Sequence, residues 1–245
     1  YNKNYSKLYI IILIYDTFCC VNIMTLIINE IFHSIQGESI FAGLPSVFIR
    51  LTKCNLKCSY CDTNHARSKG KAITVNKIID IIAKINFHHV TVTGGEPLLQ
   101  ENTIPFLHRL IDYGYITQLE TNGSLTLKDV PKGVRKIVDI KTPSSGEEQS
   151  FEMDNLFYIT KNDEIKFVVA DINDYNFALE FVKFYLAKSE ATVNISPVHG
   201  VISPAILADL ILKSQQKFRL NIQLHKTLWG DKEKDHYIDI PLKNV

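Results

Sequence analysis

The feature that most constrains the fold of this chain is the regular alternation of two residue patterns. Short runs rich in β-branched residues, which are typical of strands, alternate with segments whose apolar residues recur at helical spacing. The predicted strands are SVFIRL (46–51), HVTVT (89–93), ITQLE (116–120), KIVDI (136–140), EIKFVVA (164–170), TVNIS (192–196) and RLNIQLH (219–225). The predicted helices cover 74–86, 97–114, 174–188 and 203–215.

Repeated strand–helix units predict parallel strands that are joined by right-handed crossovers and covered by helices on the outside. A closed barrel of this kind has about eight units, and this chain offers only about six. We therefore expect an α/β fold, an open and partial (β/α)6-type TIM-like barrel. Chemistry in such barrels is carried out at the carboxyl ends of the strands. Polar motifs do follow the strands, at 93–96, 120–123, 141–145 and 196–199.

Composition and charge narrow the range of partners. The 245 residues include 46% hydrophobic and 22% charged residues, which is globular composition, and the formal net charge is +1. A charge so close to zero gives no reason to expect nucleic acid or an anionic membrane as a partner. Five irregularly spaced cysteines do not form a disulfide framework. We therefore expect free thiols and a reducing, cytoplasmic location.

The two ends of the chain differ from its middle. LYIIILIY (8–15) follows two lysines and resembles a signal peptide, but this run is too short to span a bilayer, and no small-residue cleavage site follows. We expect residues 1–23 to be a disordered or non-native extension and the domain to cover 24–232. For residues 233–245 we expect a tail that packs over the mouth of the barrel or pairs with another subunit, unless it is foreign to the native chain.

Three cysteines, Cys54, Cys58 and Cys61, lie in the loop that follows the first predicted strand, spaced Cys-x3-Cys-x2-Cys. Several thiolates in one loop indicate a metal or an iron–sulfur cluster. Structural zinc takes four N or S ligands, and His65 could complete such a set. A [4Fe–4S] cluster held by three cysteines instead leaves one iron without a protein ligand, where a small molecule can bind. Spacing alone leaves both alternatives open.

The cysteine loop, with Tyr60 before its last cysteine, and the later motif TGGEP (93–97) resemble the radical S-adenosylmethionine (SAM) superfamily. The resemblance implies the [4Fe–4S] cluster, with SAM chelated at the open iron and cleaved to a 5′-deoxyadenosyl radical. It also implies a radical SAM type of partial barrel. In that setting Gly95 and Glu96 are expected to contact SAM.

Eight motifs together resemble one family of that superfamily, the 7-carboxy-7-deazaguanine synthases. They are EIFHSIQGES (30–39), FIRLTKCNLKCSYCDT (48–63), VTGGEPLLQ (92–100), LETNGS (119–124), DIKTPSSGE (139–147), EIKFVV (164–169), ISPVHG (195–200) and QLHKTLWG (223–230). The resemblance implies a lyase of queuosine and deazapurine biosynthesis. Its members contract the ring of 6-carboxy-5,6,7,8-tetrahydropterin with loss of ammonia, regenerate SAM and are assisted by Mg²⁺.

The resemblance also implies roles for residues of this chain. The expected substrate contacts are Ile35, Gln36, Gly37, Glu38, Arg50, Thr93 and His225. Arg50 is expected to clamp the substrate carboxylate, because a guanidinium fork suits a carboxylate. Thr63 is the expected Mg²⁺ ligand. Glu120, Asn122 and Lys166 are expected only to line the mouth of the barrel.

A second set of residues is implied to bind SAM. Besides Gly95 and Glu96, the set contains Asp139, Ile140, Lys141, Ser196, Pro197, Val198 and His199. Some members read Ser-Pro-Lys where this chain reads Asp139-Ile140-Lys141, so the first position departs from the pattern of the family.

Two other functions remain open from the sequence. A radical SAM activase of a glycyl-radical enzyme shares the cysteine loop and TGGEP but needs neither Gln36-Gly37-Glu38 nor Arg50. A zinc-binding interaction module would use the three cysteines and His65, but it leaves the polar strand ends unexplained. For the synthase the resemblance implies a pterin substrate, an electron donor such as flavodoxin or ferredoxin, and a homodimer, with no nucleic-acid or membrane partner.

Overall fold

The structure, a computed structural model, describes residues 24–230 and 238–242; the predictions for residues 1–23 lie outside them. The strands are β1 Thr25–Ile35, β2 Pro45–Leu51, β3 Lys71–Thr74, β4 His89–Gly94, β5 Ile116–Thr121, β6 Arg135–Ile140, β7 Glu164–Val169, β8 Thr192–Pro197, β9 Phe218–Leu220 and β10 Ile238–Asp239. The α-helices are α1 Val75–Ile85, α2 Thr103–Asp112, α3 Ile172–Tyr185, α4 Pro204–Ser214 and α5 Leu224–Trp229. Short 3-10 turns lie at Asn64–Arg67, Pro97–Leu99, Pro143–Ser145 and Met153–Phe157.

The strands form one open sheet in the order β10-β1-β2-β4-β5-β6-β7-β8-β9, with β3 paired to β1 off that path. From β2 to β9 each neighbour pairs in parallel, whereas β1 runs antiparallel to β2. The parallel strands and their crossover helices confirm the predicted open, partial barrel. Their carboxyl ends lie at one rim, where the polar motifs follow.

The helices begin and end where local chemistry directs. The Ser203 hydroxyl accepts a hydrogen bond from the Ala205 N–H at the start of α4, and Pro204 occupies the first helical position. The predicted helix 97–114 is instead a 3-10 turn followed by α2, and Gly114 ends it with φ +81°. α1 buries the apolar face that its spacing predicts.

The predicted strands differ from the structure at 219–225, at β1 and at β3. The run 219–225 is not one strand, because β9 ends at Leu220 and α5 begins at Leu224. The long strand β1 was not predicted as a strand, and neither was β3. In β1 the alternation of apolar residues is interrupted by a bulge, where the pairing register shifts between Ile28 and Glu30.

A segment that we call the bridging segment, residues 36–44, crosses from β1 towards β9 at the opening of the sheet. It forms a closed loop, since the Gln36 N–H donates to Leu44 O and the Gly43 N–H donates to Gln36 O. The Ser39 N–H donates to Asn221 Oδ1 (3.1 Å), and the Leu224 N–H donates to Gly37 O (2.9 Å). The bridging segment therefore ties the two sides of the open barrel together.

The described part of the C-terminal tail, 238–242, pairs with the edge strand of its own chain. Phe32 and His33 of β1 lie opposite Asp239 and Ile238 of β10. The Lys71 ammonium also donates to Leu242 O at 2.7 Å. The tail thus covers an edge that would otherwise present unpaired backbone groups.

The hydrophobic core lies between the sheet and the helices that cover it. Its largest fully buried side chains include Phe106 of α2 and Phe167 of β7, together with Ile and Leu residues of β1, β2 and α1. Among the residues described, no helix is both long enough and apolar enough to cross a membrane.

Candidate active site

A cavity of about 460 Å³ opens at the carboxyl ends of the parallel strands, where barrels of this kind place their chemistry. It brings together most of the residues predicted to form the site. Those that line it are Ile35, Gln36, Gly37, Glu38, Arg50, Cys54, Cys58, Cys61, Thr63, Thr93, Gly95, Asp139, Lys141, Ser196, Pro197, Val198, His199 and His225. Glu96 and Ile140, both 0% exposed, do not line it.

The three predicted cluster cysteines are free, half-buried thiols in the loop after β2, and all three face the cavity. Burial raises the pKa of Cys58, although the Lys141 ammonium opposes this shift. The amide Nδ2 of Asn122 lies 3.9 Å from Cys54 Sγ. Within residues 24–230 and 238–242, no three His, Cys, Asp or Glu side chains are arranged to hold a single metal ion.

The cysteine loop is fastened to the segment that follows β6. The Lys57 N–H donates to Glu147 Oε1 (2.6 Å), and the Ser59 N–H donates to Ser145 O (3.0 Å). The Tyr60 hydroxyl lies 3.2 Å from Thr142 Oγ1, and burial raises its pKa to about 12. Tyr60 is therefore a neutral hydrogen-bonding anchor for the loop at physiological pH.

Gly95 and Glu96 shape the cavity through the packing of the backbone after β4 and not through side chains that reach into it. A Cβ at Gly95 would lie 2.0 Å from Lys53 O, so only glycine lets the strand end approach the cysteine loop. The Glu96 carboxylate accepts hydrogen bonds from Asn122 N, Thr121 Oγ1 and Leu98 N at 2.7 to 3.0 Å. Burial raises its pKa despite these bonds. The structure thus gives Glu96 a role in holding two strand ends together.

The charged centre of the cavity is Lys166 of β7. Its ammonium lies 2.9 Å from Glu38 Oε2 and 3.5 Å from Asp139 Oδ2. Burial lowers its pKa, but the carboxylates of Glu38, Asp139 and Glu120 outweigh burial, and the pKa is held well above its usual value. Lys166 is therefore a permanent cation among three carboxyl groups.

Glu120 stands next to this network at the end of β5 and lines the cavity. Its carboxylate accepts a hydrogen bond from Thr93 Oγ1 at 2.9 Å. Burial raises its pKa, whereas Lys166 and the Thr93 hydroxyl act in the opposite direction. A buried carboxyl group with such a shift is a proton-handling candidate in a cavity.

The predicted carboxylate clamp, Arg50, lies in the wall formed by β1 and β2. Its guanidinium stands over the Phe32 ring, 5.6 Å from the centroid, and its Nε donates to Glu30 Oε1. Its side chain is 14% exposed. The neighbours of Arg50 thus fix the orientation of its guanidinium, which remains accessible from the cavity.

The predicted pterin-reading residues occupy the start of the bridging segment. Glu38 reaches the charged network, where Gln223 Nε2 also donates to its carboxylate at 2.9 Å. The side chain of Gln36 is bonded elsewhere, since its Nε2 donates to Thr91 Oγ1 and Gln118 Oε1. A Cβ at Gly37 would lie 1.7 Å from His225 Nδ1, so these two residues are in close contact.

The remaining predicted SAM residues lie on the opposite wall. Asp139 Oδ2 pairs with Lys141 at 3.0 Å, whereas Asp139 Oδ1 is buried without a hydrogen-bond partner. Ser196, Pro197, Val198 and His199 follow β8, and Asn221 Nδ2 donates to Ser196 Oγ at 2.9 Å. These residues present backbone and apolar surface at the rim.

Thr63, the predicted Mg²⁺ ligand, lines the cavity just after the cysteine loop. Its hydroxyl donates to Asp62 Oδ1 at 2.7 Å. Asp62 also lines the cavity and was not among the predicted residues. The pair offers two oxygen ligands of the kind that Mg²⁺ prefers.

Glu30, Arg67 and Gln223 also line the cavity and were missed from the sequence. Glu30 could have been found from the spacing of Glu30, Phe32 and Ser34, which put one face of β1 towards the cavity. Nothing in the local sequence marks Gln223, because its position depends on the contact between α5 and the bridging segment.

Comparisons with known proteins agree with this geometry. Residues 48–143 match the model of the radical SAM superfamily. A 7-carboxy-7-deazaguanine synthase of Koribacter versatilis is 40% identical over 222 residues, covering 84% of this chain and 98% of the relative. The enzyme of that name from Chlorobaculum tepidum is 39% identical over 207 residues, covering 83% and 94%.

Among solved structures, QueE from Escherichia coli superposes with a TM-score of 0.67 and 25% sequence identity, covering 82% of this chain and 95% of that chain. The fold, the cavity and the cysteine loop therefore agree with these similarities, which cover at least 94% of the length of each relative. The chain belongs to the 7-carboxy-7-deazaguanine synthase family of the radical SAM superfamily.

Proposed function

We propose that this enzyme converts 6-carboxy-5,6,7,8-tetrahydropterin into 7-carboxy-7-deazaguanine. One observation carries the proposal: the same cavity holds the three free thiols of the cysteine loop and, on another wall, Arg50 and Glu38. The first group suits an iron–sulfur cluster, and the second suits an anionic heterocycle. The overall change removes NH₃ and nothing else, so the reaction is a redox-neutral lyase reaction.

The residues present suit the cofactors that membership of the radical SAM superfamily implies. Cys54, Cys58 and Cys61 would hold a [4Fe–4S] cluster and leave one iron for SAM. When bound, these cofactors supply the radical chemistry, and the protein binds, orients and excludes water. Gly95 lets the backbone after β4 approach the loop closely, and Asp139 Oδ1 is a buried acceptor without a partner in the described residues. Both features suit a polar ligand at this wall.

The substrate would lie between Arg50 and the Lys166 network. The Arg50 guanidinium suits the 6-carboxylate, because a planar fork binds a carboxylate with defined direction. Glu38 suits the N–H donors of the aminopyrimidinone ring, since an ionised carboxylate only accepts hydrogen bonds. Lys166 pairs with the Glu38 carboxylate at 2.9 Å and holds it in place.

Mg²⁺ would be bound near Thr63. A single hydroxyl is a weak ligand, but Mg²⁺ retains water and takes further ligands from carboxylates and substrate oxygens. Asp62, which accepts the Thr63 hydrogen bond, supplies a carboxylate beside it. The proposal predicts that Mg²⁺ raises turnover and that Thr63→Val removes most of this stimulation.

The partners follow from the same chemistry. The cluster needs a one-electron donor such as flavodoxin or ferredoxin, and its thiols need a reducing compartment such as the cytoplasm. A homodimer is proposed by analogy with the family.

The test is an anaerobic assay with reconstituted full-length protein, SAM, dithionite, Mg²⁺ and the carboxytetrahydropterin, followed by mass spectrometry. We expect 7-carboxy-7-deazaguanine and ammonia in equal amounts, with little net consumption of SAM. SAM cleavage with intact pterin would overturn the substrate assignment and favour the glycyl-radical activase. A colourless, zinc-loaded protein would overturn the cluster assignment as well.

A further inference from the structure

We propose that Glu30 is a positioning residue that aims Arg50 at the carboxylate of the substrate. This inference rests on the proposed function and adds a residue to its binding machinery. Glu30 lies on β1 directly opposite Arg50 on β2 and lines the same cavity. Glu30 is the first residue of the motif EIFHSIQGES, but the sequence analysis gave it no role.

The backbone places Glu30 there through the bulge in β1. Ile28 pairs with Leu51 and Glu30 pairs with Arg50, so two steps along β1 correspond to one step along β2. Neighbouring residues of a strand face opposite sides, and the bulge therefore brings Glu30 onto the cavity face with Arg50. The extra residue of the bulge, Asn29, is also hydrogen-bonded, since its Nδ2 donates to Lys69 O at 2.7 Å.

The contacts of Arg50 leave its terminal nitrogens available. Nε donates to Glu30, and the guanidinium stands over Phe32, whose ring stacks on Phe48 with centroids 4.8 Å apart. Within the part of the chain that the structure describes, the two terminal nitrogens make no hydrogen bond. Held at Nε and supported from one face, the guanidinium can present its end to a carboxylate in a bidentate manner.

The environment of Glu30 keeps its carboxyl group in the charged form, in which both oxygens accept hydrogen bonds. Burial raises its pKa, but Arg50 and His65 outweigh burial, and the pKa is held below its usual value. His65 Nε2 lies 3.4 Å from the same carboxylate oxygen. The side chains of Glu30 and Arg50 are only 22% and 14% exposed, which separates this pair from solvated surface ion pairs.

Three substitutions separate geometry from charge. Glu30→Ala removes the acceptor, Glu30→Gln keeps an acceptor of the same length without charge, and Glu30→Asp keeps charge but shortens the reach. We expect Glu30→Ala and Glu30→Asp to weaken binding of the carboxytetrahydropterin about tenfold, the effect of losing one well-aligned charge-assisted hydrogen bond. Glu30→Gln should stay within about threefold of the wild type. Glu180→Gln, on the exposed side of α3, is the matched control.

The readout is anaerobic equilibrium binding of two pterins to the cluster-loaded protein, one with the 6-carboxylate and one without it. The loss should occur only with the carboxylated ligand and should disappear in an Arg50→Met background, because the effect acts through Arg50. Equal losses for both ligands, or additive losses with Arg50→Met, would overturn the positioning role. So would a wild-type affinity for Glu30→Asp combined with a weakened Glu30→Gln.

A second readout separates this inference from the proposed function. If the wild type binds neither pterin, the proposed substrate is wrong. The role of Glu30 is then tested in ligand-free protein, from the ¹⁵N spectrum of the arginine side chains. The positioning role is supported if the Arg50 Nε–H is protected from exchange in the wild type and in Glu30→Gln, and if this protection is lost in Glu30→Ala. An Arg50 signal that is the same in all of them contradicts it.

Discussion

Two layers of inward-facing side chains lie on the same strands, two residues apart, and they have different roles. One layer lines the cavity, and the other holds the barrel together. The upper layer lines the cavity and contains Thr93, Glu120, Asp139, Lys166 and Ser196. The lower layer lies one pleat earlier and contains Thr91, Gln118, Glu164 and Asn194. Because side chains alternate along a strand, residues two apart share a face, and every upper residue except Asp139 stands above one of these lower residues.

The lower layer is satisfied almost entirely by protein groups. Gln36 of the bridging segment donates to Thr91 and Gln118, and Gln118 Nε2 donates to Ser39 Oγ at 2.7 Å. The Glu164 carboxylate accepts from Asn194 Nδ2 and Arg219 Nη2, both at 2.6 Å. The four residues of the lower layer do not line the cavity.

The upper layer has charge in excess of what its own contacts satisfy. Lys166 stands among three carboxyl groups, and Asp139 Oδ1 is buried without a partner in the described residues. The comparison teaches that polarity inside a barrel does not by itself indicate function. Since Asn194 Oδ1 of the lower layer also has no partner among the described residues, the useful signal is a charged group whose valences the protein leaves open.

The largest expected effect comes from the cysteine loop, which borders the same cavity as the upper layer. Cys58→Ser should abolish cluster binding and turnover, because the cluster would lose one of three thiolates. The fold should persist, since Cys58 contributes only a half-buried side chain. Iron and sulfide content, the brown absorbance and product formation check this prediction. Full activity in Cys58→Ser would break the assignment of the loop.

Lys166→Met tests the upper layer itself. Removing the cation should cost roughly 3 kcal/mol of unfolding free energy at neutral pH, since it leaves buried carboxylates uncompensated. Without the ammonium the folded-state pKa of Glu120 rises further, so the loss is largest above this raised folded-state pKa and shrinks as pH falls through it and the carboxyl group is protonated.

Denaturation at several pH values measures this effect, with the exposed Lys188→Met as control. A loss of stability in Lys166→Met that grows on acidification would contradict the charge argument. Turnover should also fall, because Glu38 loses its ammonium partner.

Gln118→Leu tests the lower layer. It removes the hydrogen bonds that Gln118 makes with the Ser39 hydroxyl and the Gln36 amide, at a cost of about 1 kcal/mol each, while the Phe41 N–H and Thr91 Oγ1 remain as their other partners. We expect lower stability with a normal cluster content, because the cysteine loop lies on the other layer. Gln149→Leu, at an exposed position, is the control. Loss of the cluster in Gln118→Leu would show that the two layers are not separable.

Tyr60→Phe should give the smallest effect. The loop keeps its backbone bonds to Glu147 and Ser145 and loses only the Tyr60 hydroxyl near Thr142, which is worth about 1 kcal/mol. We expect normal cluster content but faster loss of the cluster in air, which absorbance decay measures. An unchanged decay rate would exclude the hydroxyl as an anchor of the loop.

How much was predictable from the sequence depends on how local the determinants were. The strand–helix alternation predicted the open barrel, and the spacing of Cys54, Cys58 and Cys61 predicted a loop at a strand end that binds a metal or an iron–sulfur cluster. Local chemistry also predicted the cap at Ser203 and the end of α2 at Gly114. In each of these cases the residues that decide the structure are close in the chain.

The rest depended on contacts between distant segments. The bridging segment and α5 are placed by contacts such as Leu224 N with Gly37 O, so the alternating run 219–225 was wrongly predicted as one strand. Glu30 reaches the cavity only because a bulge shifts the pairing of β1 with β2. Gln36 lines the cavity, and the bonds of its side chain to Thr91 and Gln118 were not predicted. Pairing register and burial decide such positions, and neither is visible in a single sequence.

The most direct test of this account is a crystal structure of the cluster-loaded protein with SAM and the carboxytetrahydropterin bound. The account predicts the pterin carboxylate on Arg50, its ring edge on Glu38, and a lower layer whose hydrogen bonds are unchanged. A pterin bound outside the cavity, or a lower layer that opens to contact it, would contradict the separation of the barrel into a ligand layer and a structural layer.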